Sequence, residues 1–137
     1  MVHALNKVNT CLCPGGYILV IHDLIQPALV EVHSQDRHLY AGQMFSDNGF
    51  ENQRLADLAI DQVIQDGLFS SDRSHIFENF IRADSLESLL NWLADNWKSA
   101  YMTAGTQRKV GEMVAQMGSE AEVVLHLISR IVKLDPS

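Results

Sequence analysis

Apolar positions recur along this chain with two different periods, and the places where the period changes mark its elements. Leu5, Val8 and Leu12 are spaced by three and four, which predicts a short helix over residues 2–12. Pro14-Gly15-Gly16 stops it, since proline has no donor and glycine admits unusual backbone angles. Tyr17-Ile18-Leu19-Val20-Ile21 is short, β-rich and apolar at every position, the pattern of a strand covered on both faces. His22 and Asp23 end it with polarity. Leu29–His33 and Arg37–Tyr40 flank Ser34-Gln35-Asp36 and predict a hairpin. After a loop over 45–52, a helix over 52–66 carries a stripe of Leu55, Ala59 and Val63 widened by Leu58, with Gly67 at its C-cap.

Ser70–Ser74 reads as a polar turn. His75–Ile81 reads as a strand, with Phe77 and Ile81 on one face and Ile76 and Phe80 on the other. Asp84 and Glu87 have capping-box spacing, and Leu86, Leu89, Leu90, Leu93 and Trp97 follow at helical offsets. Thr103 caps a further helix with Val110, Met113, Val114 and Met117 on its buried side, ended by Gly118. Residues 121–134 are the longest strand, apolar at both parities. The order is α-β, a hairpin, then α-β-α-α-β. It predicts a single domain over 1–137 of α/β or α+β class, with helices on a mixed sheet of about four to five strands.

Charge and cysteine usage narrow the function. Ten Lys and Arg against 17 Asp and Glu leave a net charge of −7 over 137 residues, which argues against a nucleic-acid partner. The longest apolar run, Tyr17–Ile21, is far short of the roughly 20 residues of a membrane span. No secretory signal is visible, so a cytoplasmic protein without a membrane partner is expected. Cys11 and Cys13 are too few for a tetrahedral metal site and poorly spaced for a disulfide; they read as half-buried thiols in a reducing compartment.

The segment Pro14-Gly-Gly-Tyr-Ile-Leu-Val-Ile-His-Asp23, entered from a short helix, resembles the late helix and fifth strand of class I S-adenosylmethionine-dependent methyltransferases, where such a turn feeds an apolar strand ending near the substrate. The helix ending Asp66-Gly-Leu-Phe69, the strand His75–Ile81, the helix from Asp84 and the segment from Trp97 to Leu134 are similar to the C-terminal part of one bacterial subgroup. The resemblance covers nearly all of this chain but only the back half of that domain. The family's cofactor-binding glycine turn has no counterpart, for no GxGxG occurs. The resemblance therefore implies a methyltransferase-like protein with no cofactor of its own and no independent S-adenosylmethionine binding. It would self-associate, as a homodimer, or depend on a partner. The alternative is the substrate-side half of an active enzyme, completed with S-adenosylmethionine by another chain or upstream sequence.

His22 and Asp23, at the carboxyl end of a strand, are the substrate-binding candidates: His22 can accept a proton and Asp23 can orient it or a substrate amine. No catalytic residue can be assigned. His33, His38 and Tyr40 lie on the hairpin, where the two histidines become cross-strand neighbours if the turn is tight, but two are too few for a closed metal site. His75 and His126 read as half-buried sheet residues, Trp97 as core and Trp92 as exposed. No GxSxG, phosphate loop or HExxH occurs.

Overall fold

Four helices and six strands succeed one another in the computed structural model, which describes residues 1–137. They are α1 (Val2–Asn9), β1 (Ile18–Asp23), β2 (Leu29–Ser34), β3 (Arg37–Ser46), α2 (Glu51–Gln65), β4 (Phe69–Ala83), α3 (Leu86–Asn96), β5 (Ala100–Met102), α4 (Ala104–Met117) and β6 (Glu122–Pro136). The chain is an α+β protein. Its six strands, rather than four to five, are linked in the order β1-β6-β2-β3-β5, with β4 also paired to β6. The pairings of β1 with β6, β2 with β3, β2 with β6 and β3 with β5 are all antiparallel. No helix is long and apolar enough to cross a membrane. The residues gather into two compact units, and β4 and β6 each contribute to both.

The first unit holds residues 1–25, 50–77 and 128–137. Leu5, Ile60, Val63, Phe69, Val132 and Leu134 form its core, with Val2, Leu12, Ile18, Val20, Ile64 and Leu68 packed against it. β1 runs antiparallel to β6 from Ile18 opposite Leu134 to Asp23 opposite Ser129. Its even-numbered residues Ile18 and Val20 face this core, whereas Tyr17, Leu19 and Ile21 are 53%, 51% and 61% exposed. The expectation of a strand covered on both faces is thus corrected, because α1 and α2 shield one face only. In α1, Val8 is exposed and only Leu5 is fully buried. The buried face of α2 is Ala56, Ala59, Ile60 and Val63; Leu55 and Leu58 point to solvent. The helical period was right there, and the phase was displaced by the two leucines.

Gly67 does cap α2. Its φ of +70° reverses the chain, its amide donates to the Ile64 carbonyl, and the Leu68 amide donates to Val63. These are the paired bonds of a Schellman motif, and Leu68 packs back on the core. Ser70–Ser74 is not a turn but the first part of β4. Pairing with β6 holds these polar residues extended, and Ser74 accepts a hydrogen bond from Arg130 Nε at 3.0 Å.

The second unit holds residues 26–49 and 78–127. β2 and β3 form the expected hairpin, closed by Gln35 and Asp36 with Ser34 opposite Arg37. Val30, Val32, Ala41, Met44, Leu89, Leu93, Met102, Val110, Val123 and Leu125 fill its core. α3 packs with Leu89 and Leu93 buried and Leu86, Leu90 and Trp97 flanking, while Trp92 is exposed. Its cap lies one residue later than expected: Ser85 Oγ, not Asp84, accepts an amide hydrogen, from Ser88. Thr103 caps α4 through the Thr106 amide, and Gly118 ends it. β5, three residues long, went unforeseen; it pairs with the end of β3.

β6 changes the parity of its inward residues along its length. Val123, Leu125 and Leu127 enter the second core, and Val132 and Leu134 the first. This change of parity explains part of the strand's apolar character at odd and even positions; over Val123–Leu125 both faces are covered, for Val124 is fully buried as well.

Candidate functional site

His22 and Asp23 are neighbours in sequence, but consecutive strand residues project to opposite sides, and the two side chains find different partners. His22 reaches α2: its Nε2 lies 3.3 Å from Asp57 Oδ1, and its Nδ1 lies 3.1 Å from the Asp23 carbonyl oxygen. Because a carbonyl only accepts, Nδ1 is the protonated nitrogen of that contact. Asp57 also receives Arg130 Nη1 at 3.3 Å. Asp23 instead accepts the hydroxyl of buried Ser129 at 2.6 Å. The carboxylate nearest His22 is therefore Asp57, which the spacing of charges in the sequence gave no reason to select, although the buried Nε2 makes no hydrogen bond. The end of β1 is a hydrogen-bonded terminus with a mostly buried imidazole beside it.

A second array lies in the other unit, on the β2–β6 pair. Glu31 and His33 are two residues apart on one strand and so share a face, and His126 joins them from β6, where it pairs with Leu29. Glu31 Oε2 lies 2.6 Å from His33 Nε2, and Oε1 lies 3.3 Å from His126 Nδ1. One carboxylate thus serves two imidazoles. The His33 and His38 rings stack in parallel with centroids 3.9 Å apart, as the tight hairpin predicts. The His126 ring stacks on Phe80, and its Nε2 lies 3.4 Å from Glu78 Oε1. His33 also lines a surface groove of about 350 Å³ with His38, Arg82, Glu120 and Glu122. Arg82 is engaged there by Glu122 at 3.0 Å. His33 Nδ1 is buried and has no hydrogen-bond partner.

Burial alone would raise the Glu31 pKa, but the hydrogen bonds from His33 and His126, helped by their charge, outweigh it and hold this carboxyl below its ordinary range. A depressed carboxyl stabilises the fold above its unfolded value and loses that contribution as pH falls through the folded value. Glu31→Gln is therefore expected to cost about 1–2 kcal/mol at pH 7. It is also expected to flatten the loss of stability below about pH 4.5. Urea melts of both proteins between pH 7 and pH 3 check this; parallel pH profiles would show that Glu31 carries no such linkage.

Comparison with family models, curated proteins and solved structures finds no match to this chain. Its sites must be weighed on geometry.

No group of three or more His, Cys, Asp or Glu side chains is placed to hold a metal ion. Cys11 and Cys13 are exposed free thiols rather than half-buried ones. His75, on β4, borders a groove of about 490 Å³ in the first unit with Leu19, Arg73, Ile131 and Lys133. The groove floor is the uncovered face of β1 and β6. This apolar face was hidden in the sequence, where nothing separates a covered apolar strand residue from an uncovered one.

Proposed function

We propose that this chain is a methyltransferase-like domain that does not bind S-adenosylmethionine alone and acts by self-association or with a protein partner. The observation that carries this reading is β1. It stands last in the strand order with β6 as its sole partner, and it presents Tyr17, Leu19 and Ile21 to solvent. An edge that is apolar and uncharged over residues 17–21 invites pairing with another chain. Burying the exposed part of each of these side chains would contribute about 1 kcal/mol. The lack of any GxGxG supports the cofactor part of the reading. The net charge of −7 favours a protein partner over nucleic acid. Two exposed free thiols suit a cytoplasmic location.

A calorimetric titration of S-adenosylhomocysteine into the purified chain tests the cofactor part. No heat at millimolar ligand is expected. Saturable binding would overturn the reading and make His22 and Asp23 the first residues to mutate.

A second reading has its own support. In it the chain is the substrate-side half of an active methyltransferase, with His22 and Asp23 near the substrate. What favours it is the Pro14-Gly15-Gly16 junction that carries the resemblance. Gly15 has a φ of +79°, and a Cβ on Gly16 would come within 3.0 Å of the Cys13 carbonyl oxygen. Both glycines are thus needed by the backbone that leads into β1. Mixing the chain with a cofactor-binding half should then create S-adenosylmethionine binding that neither piece shows alone.

A further inference from the structure

The uncovered edge of β1 has a geometry that selects its occupant. We infer that a second copy of this chain pairs there, β1 against β1 in antiparallel register about a twofold axis at Leu19. The inference rests on the self-associating form of the function proposed above and names its interface.

Three observations carry it. First, β1 is the terminal strand of the order, so its outer edge meets no other strand of the chain. Residues 14–21 hold no charge, so two copies of a chain with net charge −7 meet there without like charges face to face.

Second, the exposed residues are placed symmetrically. Centring the pair on Leu19 puts Tyr17 opposite Ile21 twice and Leu19 opposite itself, and all three exposed side chains of each copy then share one continuous face. Shifting the centre by one residue either way sets one of them against Gly15 or Asp23. Ile131 and the 490 Å³ groove flank the same face and extend it inward from the edge.

Third, charge chooses the direction. A parallel pair would bring the two Asp23 carboxylates together. The antiparallel pair separates them, carrying each Asp23 toward the Tyr17 end of the other copy, where the Lys133 ammonium is already engaged by Asp135 at 2.5 Å and lies 5.1 Å from the Tyr17 ring centroid. Lys133 stands opposite Leu19 in the β1–β6 register and therefore shares the face of Tyr17, Leu19 and Asp23. The contact is isologous and closes at two copies, leaving no free β1 edge for further growth.

The test uses light scattering and cysteine pairing. The full chain is expected to be a dimer at about 100 μM, and Ile21→Lys is expected to weaken the dimer at least 100-fold with the circular dichroism unchanged. Leu55→Lys, on the outer face of α2, should leave it intact. With Cys11 and Cys13 replaced by serine, oxidised Leu19→Cys should form a cross-linked dimer, because directly opposed residues lie within disulfide reach. Tyr17→Cys alone should not cross-link, but an equal mixture of Tyr17→Cys and Ile21→Cys should. Self-linking of Tyr17→Cys, or a dimer lost through Leu55→Lys and kept in Ile21→Lys, would overturn this interface and leave self-association standing. A monomer at 100 μM that also fails to cross-link at position 19 would overturn the inference and leave only the partner-dependent form of the proposed function. Should Ile21→Lys fail to fold, the cross-linking pattern decides alone.

Discussion

Phe69→Ala is expected to destabilise the protein by about 3–5 kcal/mol, the cost of truncating a fully buried aromatic ring. Phe69 opens β4, is 1% exposed, and sits among Leu5, Ile60, Val63, Val132 and Leu134. Those neighbours come from α1, α2 and β6, and stiff, β-branched Ile60, Val63 and Val132 cannot swing in to fill the hole. The core is also small, so one ring is a large share of it. A chemical melt of the purified variant gives the loss, and hydrogen exchange should show amides of α2 and the Val132–Leu134 segment of β6 exchanging much faster. A loss under about 1 kcal/mol would mean that this core is loosely packed. Phe69→Leu, which keeps most of the volume, should cost markedly less.

The second large effect is expected at Gly42, through overpacking. A Cβ built at this position of β3 would lie 2.5 Å from Thr106 Oγ1 and 2.8 Å from its Cγ2. Thr106 is buried in the first turn of α4, and its hydroxyl lies 3.1 Å from that of the capping Thr103. β3 is irregular at this point: the register with β2 shifts between Val30, opposite Gly42, and Glu31, opposite Tyr40. The missing side chain lets the helix start approach the strand. Gly42→Val is expected to cost about 3 kcal/mol, at the upper end for overpacking. Gly42→Ala should cost less, and Thr106→Ala should relieve part of the Gly42→Ala loss although alone it weakens the cap. A double-mutant cycle by urea denaturation reads the coupling. Strict additivity of the two changes would show that Gly42 does not set the approach of α4.

These two residues also show where the sequence could and could not be read. α3 and α4 were legible because their apolar stripes are long and their caps are local; only the choice between Asp84 and Ser85 slipped, and both have cap chemistry. The hairpin was legible from its turn, and with it the meeting of His33 and His38. α2 misled because Leu55 and Leu58 are apolar and exposed. The early part of β4 misled because serine and aspartate favour turns unless a ladder holds them, and β6 supplies that ladder from far along the chain. The Glu31 array was beyond reach for the same reason. His126 joins Glu31 only through the β2–β6 register, and Asp57 joins His22 only through the docking of α2. Local signals carried the helices and the hairpin, and distant pairing carried both candidate sites.

Distance along the chain has one more consequence, in the order of synthesis. β6 is made after the other nine elements described above, yet both cores are built on it, one through Val123, Leu125 and Leu127 and the other through Val132 and Leu134. Neither can be completed before β6 has emerged, so the earlier elements wait with part of their apolar side open. β1 waits longest of the strands, since it is made first and its partner residues Ser129–Leu134 lie more than 100 residues further on. A chain stopped before Leu134 would never complete its first core, however well the earlier elements had formed.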